Sequence, residues 1–302
     1  MTDALATNPQ LEVTSWEFDE GDEIAPGRTA LKRLGGGRRY DAYLGWDDHL
    51  HSVVVLKVVR PHLVDDERVL RGLRAEWEML LRLAHPVILR GFDAVLDGPR
   101  PHLVLEHLEG PRLSSLVRRY GPLTPEQLVP LAVQLAAAVH YLGREEIVHL
   151  DIKPSNTIMG APPRMIDMSV ALPLSEAQGL KSQVGTDAYM APEQCNPDEL
   201  GPVGTAADIW GLGATLYKAA TGRLPYSEPG TDDAPPEVRW PQLVEAPAPL
   251  EARVPGDFAE AIMDCLAFES NERPSAAELS ERLEPVLGGL PKPRLGRLKP
   301  RL

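Results

Sequence analysis

Hydrophobic and polar positions alternate in short runs through the first hundred residues, as they do in β-strands. Three runs, TALKRLGG, RYDAYLGW and HSVVVLKVV, are rich in β-branched and aromatic residues and are separated by glycines or an acidic turn. They predict an antiparallel three-strand meander. Helical spacing follows over residues 65–84, and two later apolar runs, VILRGFDAV and HLVLEHL, predict further strands. We therefore expect a β-sheet with one helix in this part of the chain.

The pattern becomes mainly helical from Leu113 onward. The tetrapeptide TPEQ at 124–127 predicts a helix start with a capping box, and the nearly all-apolar run AADIWGLGATLYKAATG predicts a buried helix that ends at Gly222. A last helix is expected over SAAELSERLEPVL. Residues 226–256, rich in proline and acidic residues, predict an irregular surface connection.

Composition narrows the class of protein. The chain has 302 residues, of which 43% are hydrophobic and 25% charged, as in globular proteins. No apolar run approaches the roughly 18–20 residues of a membrane-spanning helix, and the start lacks the features of a secretory leader. We therefore expect a cytoplasmic protein. The formal net charge of -13 argues against nucleic acid as the main partner, and the two cysteines, Cys195 and Cys265, are expected to be buried.

The charge is uneven along the chain. Residues 1–27 carry seven acids and no Lys or Arg, whereas residues 291–302 carry five bases and no acid. We interpret 1–28 as an acidic tail and 289–302 as a basic tail, both solvated, with a docking or membrane-surface role as the alternative.

Two features of the predicted sheet suggest anion binding. The sequence Leu34-Gly35-Gly36-Gly37 lies between two predicted strands, where it would form either a tight hairpin turn or a lid over phosphates. Lys57 lies within an apolar strand, on the same face as Val55. It would be either an edge residue or a buried cation with a partner.

The predicted helix offers that partner. Glu76 lies on its apolar face with Leu73, Leu80 and Leu83, whereas Glu78 falls between two arginines on the polar face. Glu76 is therefore the carboxylate expected to pair with Lys57.

A dense polar cluster follows in His149-Leu150-Asp151-Ile152-Lys153-Pro154-Ser155-Asn156 and, eleven positions after Asn156, Asp167. Two carboxylates and an amide at this density suggest a proton acceptor beside a divalent-cation site, because Mg²⁺ takes oxygen ligands. Any one of these residues alone would indicate no more than an ordinary polar turn.

These residues, in this order, resemble the eukaryotic-type (Hanks-type) bacterial serine/threonine protein kinase family over roughly residues 29–288. The resemblance implies an α+β, bilobal fold with ATP bound between the lobes. The N-lobe, 29–108, would be a small antiparallel β-sheet with one helix, and the C-lobe, 109–288, mainly helical. It also implies ATP and Mg²⁺ as ligands and a protein substrate carrying serine or threonine.

The resemblance assigns a role to each polar residue. Asp151 would be the catalytic base in residues 149–156, called the catalytic loop below, and Lys153 the cation near the γ-phosphoryl group. Lys57, paired with Glu76, would hold the α/β-phosphates. The implied metal ligands are Asn156 and Asp167. The implied nucleotide-binding residues are Leu34, Gly35, Gly36, Gly37, Tyr40, Ala42, Val55, Lys57, Leu105, Glu106, Leu108 and Ile158, with Leu105 as gatekeeper.

The sequence GTDAYMAPE at 185–193 resembles the end of an activation segment. By this resemblance Glu193 would pair with Arg273, and Asp208 would hold the catalytic loop. Lys153 together with Thr186 is similar to serine/threonine rather than tyrosine kinases.

The sequence departs from the family pattern in four ways. Tyr40 replaces the third glycine of the loop, and Ala42 and Val55 invert the usual pair beside adenine. Leu150 replaces an arginine that clamps a phosphorylated segment, so we expect activity without phosphate on Ser182 or Thr186.

The fourth departure is Ser169, which follows Asp167-Met168 in place of glycine. A side chain there would penalise positive φ, which biases the segment to one state. None of the four departures removes a group expected to touch phosphate or metal. The main expectation is an active kinase; the alternative is a pseudokinase scaffold that binds nucleotide or partner proteins, and a non-protein substrate is a third reading. Regulation would come through the tails, a partner or self-association.

Overall fold

The structure is a computed structural model that describes residues 14–250 and 254–291. Its chain forms two compact units. The first ends at Arg82 and resumes over Arg90–His107, and the second comprises Leu83–Leu89 and the chain from Leu108 onward. The sequence prediction had placed this boundary one residue later, between 108 and 109.

The first unit is a six-stranded antiparallel sheet with one helix. A sheet with one helix was predicted, but with five strands, because the first strand lies in the segment interpreted as an acidic tail. Its strands follow the spatial order β1-β2-β3-β4-β6-β5. The strands are β1 (Glu23–Ala25), β2 (Arg28–Gly36), β3 (Tyr40–Asp47), β4 (Ser52–Val59), β5 (Gly91–Val95) and β6 (His102–Glu106). Helix α1 (Glu67–Arg82) packs against β5 and β6. Leu73, Glu76 and Leu80 are buried on α1 and Glu78 is exposed, so the predicted helix face is confirmed.

Over residues 14–28, the acidic segment differs from its prediction as a solvated tail. Within it, Trp16 and Phe18 stack on each other and pack against the sheet, and Trp16 Nε1 donates to Val59 O at 2.7 Å. The acidic residues between and after them, such as Glu17, face solvent. Alternation of acidic and aromatic residues allowed this segment to fold onto the sheet despite its charge. Residues 1–13 and 292–302, which include most of the basic tail, lie outside the described residues.

The second unit is mainly helical, as predicted. Its helices are α2 (Leu113–Tyr120), α3 (Pro125–Arg144), α4 (Leu174–Ala177), α5 (Pro192–Cys195), α6 (Pro197–Leu200), α7 (Thr205–Thr221), α8 (Pro236–Arg239), α9 (Gly256–Asp264) and α10 (Ala276–Gly289). Its short strand pairs are β7 (Ile147–Val148) with β10 (Leu172–Pro173), and β8 (Thr157–Ile158) with β9 (Arg164–Met165).

Helix α3 packs against α7 and α10 to form the centre of this unit. At the start of α3, Thr124 N donates to Gln127 Oε1, the bond expected of a capping box. Helix α7 is buried along most of its length and ends at Gly222, whose φ of 75° is the left-handed conformation that favours glycine. Both cysteines are buried, and burial raises the pKa of the Cys265 thiol to about 12. Among the described helices, none combines the length and apolarity that a membrane span requires.

The prediction of an irregular surface connection over 226–256 is wrong in its centre. Helix α8 forms there, and Trp240 and Gln242 are buried. Gln242 Nε2 donates to the carbonyls of Asp187 and Met190 at 2.8 and 3.0 Å. A tertiary contact therefore orders this proline-rich stretch, and local composition does not reveal such contacts.

Candidate functional site

Lys57 and Glu76 form an ion pair within the first unit. Lys57 Nζ lies 2.8 Å from both carboxylate oxygens of Glu76. The side chain of Glu76 is 2% exposed and that of Lys57 is 14% exposed. Burial of either charge alone would be costly, so each stabilises the other in place. The predicted pairing is confirmed, and it fixes the position of a cation on one face of the sheet.

The glycine-rich loop turns between β2 and β3, and Gly37 N donates to Tyr40 O at 2.9 Å. Gly35 has a φ of 142°, a conformation that favours glycine. A Cβ at Gly36 would collide with the Asp41 carboxylate and with the backbone of Tyr40. Leu34, just before these glycines, is half exposed. Glycine is therefore required at 35 by the backbone conformation and at 36 by close packing.

Sheet register places several predicted nucleotide-binding residues on one face. Ala42 pairs with Lys57, and Val55 pairs with Leu105. Alternation along each strand puts these four side chains on the same side of the sheet. At the end of β6, Glu106 N donates to Arg90 O at 3.0 Å. Two further predicted residues, Leu108 and Ile158, belong to the second unit, where both are half-buried.

The Asp151 carboxylate accepts hydrogen bonds from three side chains of the second unit. Thr186 Oγ1 donates to Oδ1 at 2.7 Å, while Lys153 Nζ and Asn156 Nδ2 donate to Oδ2 at 2.7 and 3.0 Å. Lys153 Nζ also donates to Thr186 Oγ1 at 2.5 Å. Because Thr186 accepts from Lys153, its hydroxyl hydrogen is directed to Asp151. These contacts fix the orientation of the carboxylate.

The structure thus gives Thr186 a contact that the sequence had not revealed. We had considered Thr186 as a phosphate acceptor and as a mark of serine/threonine kinases. In the structure its hydroxyl lies between Asp151 and Lys153, which are 35 and 33 positions away. The sequence Gly-Thr ahead of Met-Ala-Pro-Glu was the available signal, but the contact itself depends on the tertiary fold.

Asn156 and Asp167 are brought together by backbone pairing. Ile166 N donates to Asn156 O at 2.8 Å, beside the paired strands β8 and β9, so Asp167 follows directly on that contact. The Asn156 side-chain nitrogen donates to both the carbonyl and the carboxylate of Asp151. Both partners are acceptors, so the amide nitrogen must face them and Oδ1 must face away. Asn156 therefore offers an oxygen and Asp167 a carboxylate, the ligand types that Mg²⁺ prefers.

Asn156 and Asp167 suit an ion such as Mg²⁺, which takes part of its ligands from water and phosphate, better than an ion whose ligands all come from the protein. Across residues 14–250 and 254–291, no group of three or more His, Cys, Asp or Glu side chains is arranged to hold a metal ion. Mg²⁺ commonly keeps several waters and is bound by one or two carboxylates together with substrate phosphates. Two protein oxygens are thus sufficient for such an ion.

The positive φ near this pair lies at Asp167, which has a φ of 71°, whereas Ser169 is not among the residues with positive φ. Ser169 N donates to Asp167 Oδ1 at 3.4 Å. Ser169 thus avoids positive φ in this conformation, and the bias of the segment to one state stays a prediction. The sparsely populated backbone conformation in this segment is that of Asp167.

Two buried carboxylates, Asp208 and Glu193, make the contacts that were predicted for them. Asp208 accepts from the backbone N–H groups of His149 and Leu150 at 2.7 and 2.9 Å. Burial raises the pKa of the Asp208 carboxyl, and the two backbone hydrogen bonds act in the opposite direction. Glu193 pairs with Arg273 through both carboxylate oxygens, at 2.6 and 2.8 Å.

Gln194 is a second residue that sequence reasoning missed. Its Nε2 donates to the carbonyls of Leu150 and Val184 at 2.9 and 2.8 Å, and its Oε1 accepts from Ala191 N. Leu150 is buried and has a φ of 67°, unusual for a branched residue. A neutral amide thus connects the catalytic loop to the chain just before residues 185–193.

Comparison with known proteins agrees with this geometry. A model of the protein kinase domain matches residues 28–283. The chain is 29% identical over 272 residues to serine/threonine-protein kinase PknB of Mycobacterium tuberculosis, which covers 85% of this chain and 42% of that protein. It is 33% identical over 247 residues to serine/threonine-protein kinase PkaA of Streptomyces coelicolor, covering 79% and 44%. Probable serine/threonine-protein kinase PkwA of Thermomonospora curvata is 33% identical over 268 residues, covering 85% and 34%. The chain spans less than half the length of each of these relatives.

Proposed function

The chain belongs to the protein kinase family, and we propose that it transfers the γ-phosphoryl group of ATP to serine and threonine hydroxyls of protein substrates. The hydrogen bonds around Asp151 are the observation that most directly supports this activity. Protein substrates also suit the charge of the chain, because a net charge of -13 disfavours nucleic acid. Self-association and a cytoplasmic location stay predictions.

Asp151 is the proposed proton acceptor. A carboxylate has about four lone-pair positions, two on each oxygen. Within residues 14–250 and 254–291, Oδ2 accepts from Lys153 and Asn156, whereas Oδ1 accepts from Thr186 alone. The second position on Oδ1 is the one proposed for the substrate hydroxyl. As the hydroxyl oxygen bonds to the γ-phosphorus and the bond to ADP breaks, the hydroxyl proton passes to Asp151.

Lys153 is proposed to stabilise the transferred group. Its ammonium carries three hydrogens, and two of them are donated to Asp151 and Thr186. The third is proposed to bind an oxygen of the γ-phosphoryl group. Transfer spreads negative charge over those oxygens, so a fixed cation lowers the barrier more than it stabilises bound substrate.

The remaining site residues are proposed to bind the nucleotide. Lys57, held by Glu76, would contact the α/β-phosphates, and the glycine-rich loop with Tyr40 would cover them. Asn156 and Asp167 would hold Mg²⁺, which neutralises phosphate charge when it is bound. The proposed adenine-binding residues are Ala42, Val55, Leu105, Glu106, Leu108 and Ile158.

The test is transfer of labelled γ-phosphate from ATP to a generic basic protein in the presence of Mg²⁺, followed by separation of the phosphoamino acids. We expect phosphoserine and phosphothreonine. Asp167→Asn should abolish the label, whereas the matched control Asp198→Asn, at an exposed site, should leave it unchanged. Nucleotide binding without any transfer would identify a pseudokinase instead. Label on tyrosine alone would contradict the proposed substrate class.

A further inference from the structure

Tyr40, which replaces the third glycine of the loop, contacts both the Lys57–Glu76 pair and helix α1. Lys57 Nζ lies 4.8 Å from the centre of the Tyr40 ring. The Tyr40 hydroxyl donates to Val69 O at 3.3 Å, within the first turn of α1. One side chain therefore joins the end of the glycine-rich loop, the cation of β4 and the helix that carries Glu76.

The sheet positions the ring over the cation. On β3 and β4, Tyr40 pairs with Val59 and Ala42 pairs with Lys57. Tyr40 and Lys57 are thus diagonal neighbours on one face, a separation that an aromatic and a long side chain can span. A cation over an aromatic face is attracted by the ring quadrupole, and this attraction grows when water is excluded.

The helix receives two attachments on the same face. Val69 and Glu76 are seven residues apart, which is about two helical turns. Val69 is bound by Tyr40 of β3, and Glu76 by Lys57 of β4. Between them lies Gly72, where a Cβ would stand 3.6 Å from the Tyr40 hydroxyl. A longer side chain at 72 would press on the phenol, so the small residue suits this contact.

We infer that Tyr40 is a positioning residue that holds helix α1 against the sheet and keeps the Lys57–Glu76 pair assembled before nucleotide binds. A glycine at this position has no side chain to make either contact. The inference rests on the proposed function only in that Lys57 is taken to bind ATP phosphates. The two contacts of Tyr40 do not depend on that activity.

The first measurement is the acylation rate of Lys57 by an amine-directed reagent at neutral pH without nucleotide. Peptide mass spectrometry would compare Lys57 with the exposed Lys32 of the same sheet. Tyr40→Leu removes the ring from the cation, so we expect acylation of Lys57 to become about three- to tenfold faster relative to Lys32. Tyr120→Leu, a change at an exposed tyrosine of the second unit, should have no effect. Equal rates in Tyr40→Leu and wild type would overturn the inference.

Amide hydrogen exchange supplies a second readout that does not require Tyr40→Leu to fold. Tyr40→Phe keeps the ring but loses the bond to Val69 O, so peptides from α1 should exchange about three- to tenfold faster than in wild type. Unchanged exchange in α1 would contradict a role for the hydroxyl. Both measurements are made without ATP, so they report on Tyr40 even if the chain transfers no phosphate. Where it does, Tyr40→Phe should raise KM for ATP and leave KM for the protein substrate unchanged.

Discussion

The side-chain amide of Gln194 donates a hydrogen bond to the main-chain carbonyl of Leu150 at 2.9 Å. Leu150 occupies a position where many protein kinases have an arginine that binds a phosphate on the activation segment. Gln194 makes a comparable connection with an uncharged amide. The same side-chain nitrogen that bonds to the catalytic loop also donates to Val184 O. The catalytic loop and the chain before residues 185–193 are therefore joined without phosphorylation.

Substitution of Gln194 should lower phosphoryl transfer. Gln194→Ala loses two donated hydrogen bonds, and at about 0.5–1.5 kcal/mol each we expect kcat to fall by about tenfold or more. The matched control Gln178→Ala, at an exposed position, should keep wild-type kcat. Phosphatase treatment of wild type should leave the rate unchanged. Activity that vanished after phosphatase treatment would contradict a phosphate-independent connection.

The hydroxyl of Thr186 should be required for transfer. Thr186→Ser keeps the donor to Asp151 and should retain most of kcat. Thr186→Val removes it and should lower kcat by about tenfold, since a hydrogen bond to a charged group contributes about 1.5–3 kcal/mol. Ser182→Ala, at an exposed residue nearby, serves as the control. Equal activity of the serine and valine variants would show that the hydroxyl is dispensable.

The Glu193–Arg273 pair should contribute strongly to stability. The Arg273 side chain is fully buried and donates further hydrogen bonds to the carbonyls of Ala206, Ala267 and Phe268. Arg273→Ala leaves Glu193 buried without its cation, so the free energy of unfolding should fall by about 3–5 kcal/mol. Arg282→Ala breaks an exposed pair with Asp264 and should cost no more than about 1 kcal/mol. Urea unfolding measures the free energy of unfolding of both variants. Equal losses would contradict the claim that the buried pair contributes more than the exposed one.

His102 should make the first unit sensitive to acid. Its Nε2 lies 2.9 Å from Arg28 Nη1 and its Nδ1 lies 2.7 Å from Arg100 O. Arg28 only donates and the carbonyl only accepts, so the neutral ring fits both partners. Burial lowers the pKa of His102 below its ordinary 6.5, and the Arg28 charge acts in the same direction.

Because the folded-state pKa of His102 is lowered, its contribution to stability is complete above pH 6.5 and is lost as the pH falls through the lowered value. Thermal unfolding between pH 7 and 5 should therefore show a larger loss of Tm for wild type than for His102→Gln, which cannot titrate. Parallel profiles of Tm against pH for the two proteins would rule out His102 as the source of the acid sensitivity.

Periodicity was sufficient to predict the Lys57–Glu76 pair. Glu76 shares the apolar face of its helix and therefore needed a cation, and Lys57, within an apolar strand, was the available one. Element spacing predicted a sheet with one helix followed by a mainly helical part. The bilobal fold and the catalytic loop came from the resemblance to protein kinases.

Contacts between distant segments were not predictable in the same way. Thr186 and Gln194 reach residues more than thirty positions away. Trp240 and Gln242 lie in a proline-rich stretch whose composition suggests a surface loop, and Trp16 lies in an acidic one. In each case tertiary packing overrides the local pattern.

The measurement that tests the central claim most directly compares Asp151→Asn with wild type in γ-phosphoryl transfer to a basic protein, with nucleotide binding followed in parallel. The amide keeps an oxygen for Thr186 but cannot accept the substrate proton. We predict that the transfer rate falls by about 100-fold or more while nucleotide affinity stays close to that of wild type. Transfer by Asp151→Asn at the wild-type rate would contradict Asp151 as the base.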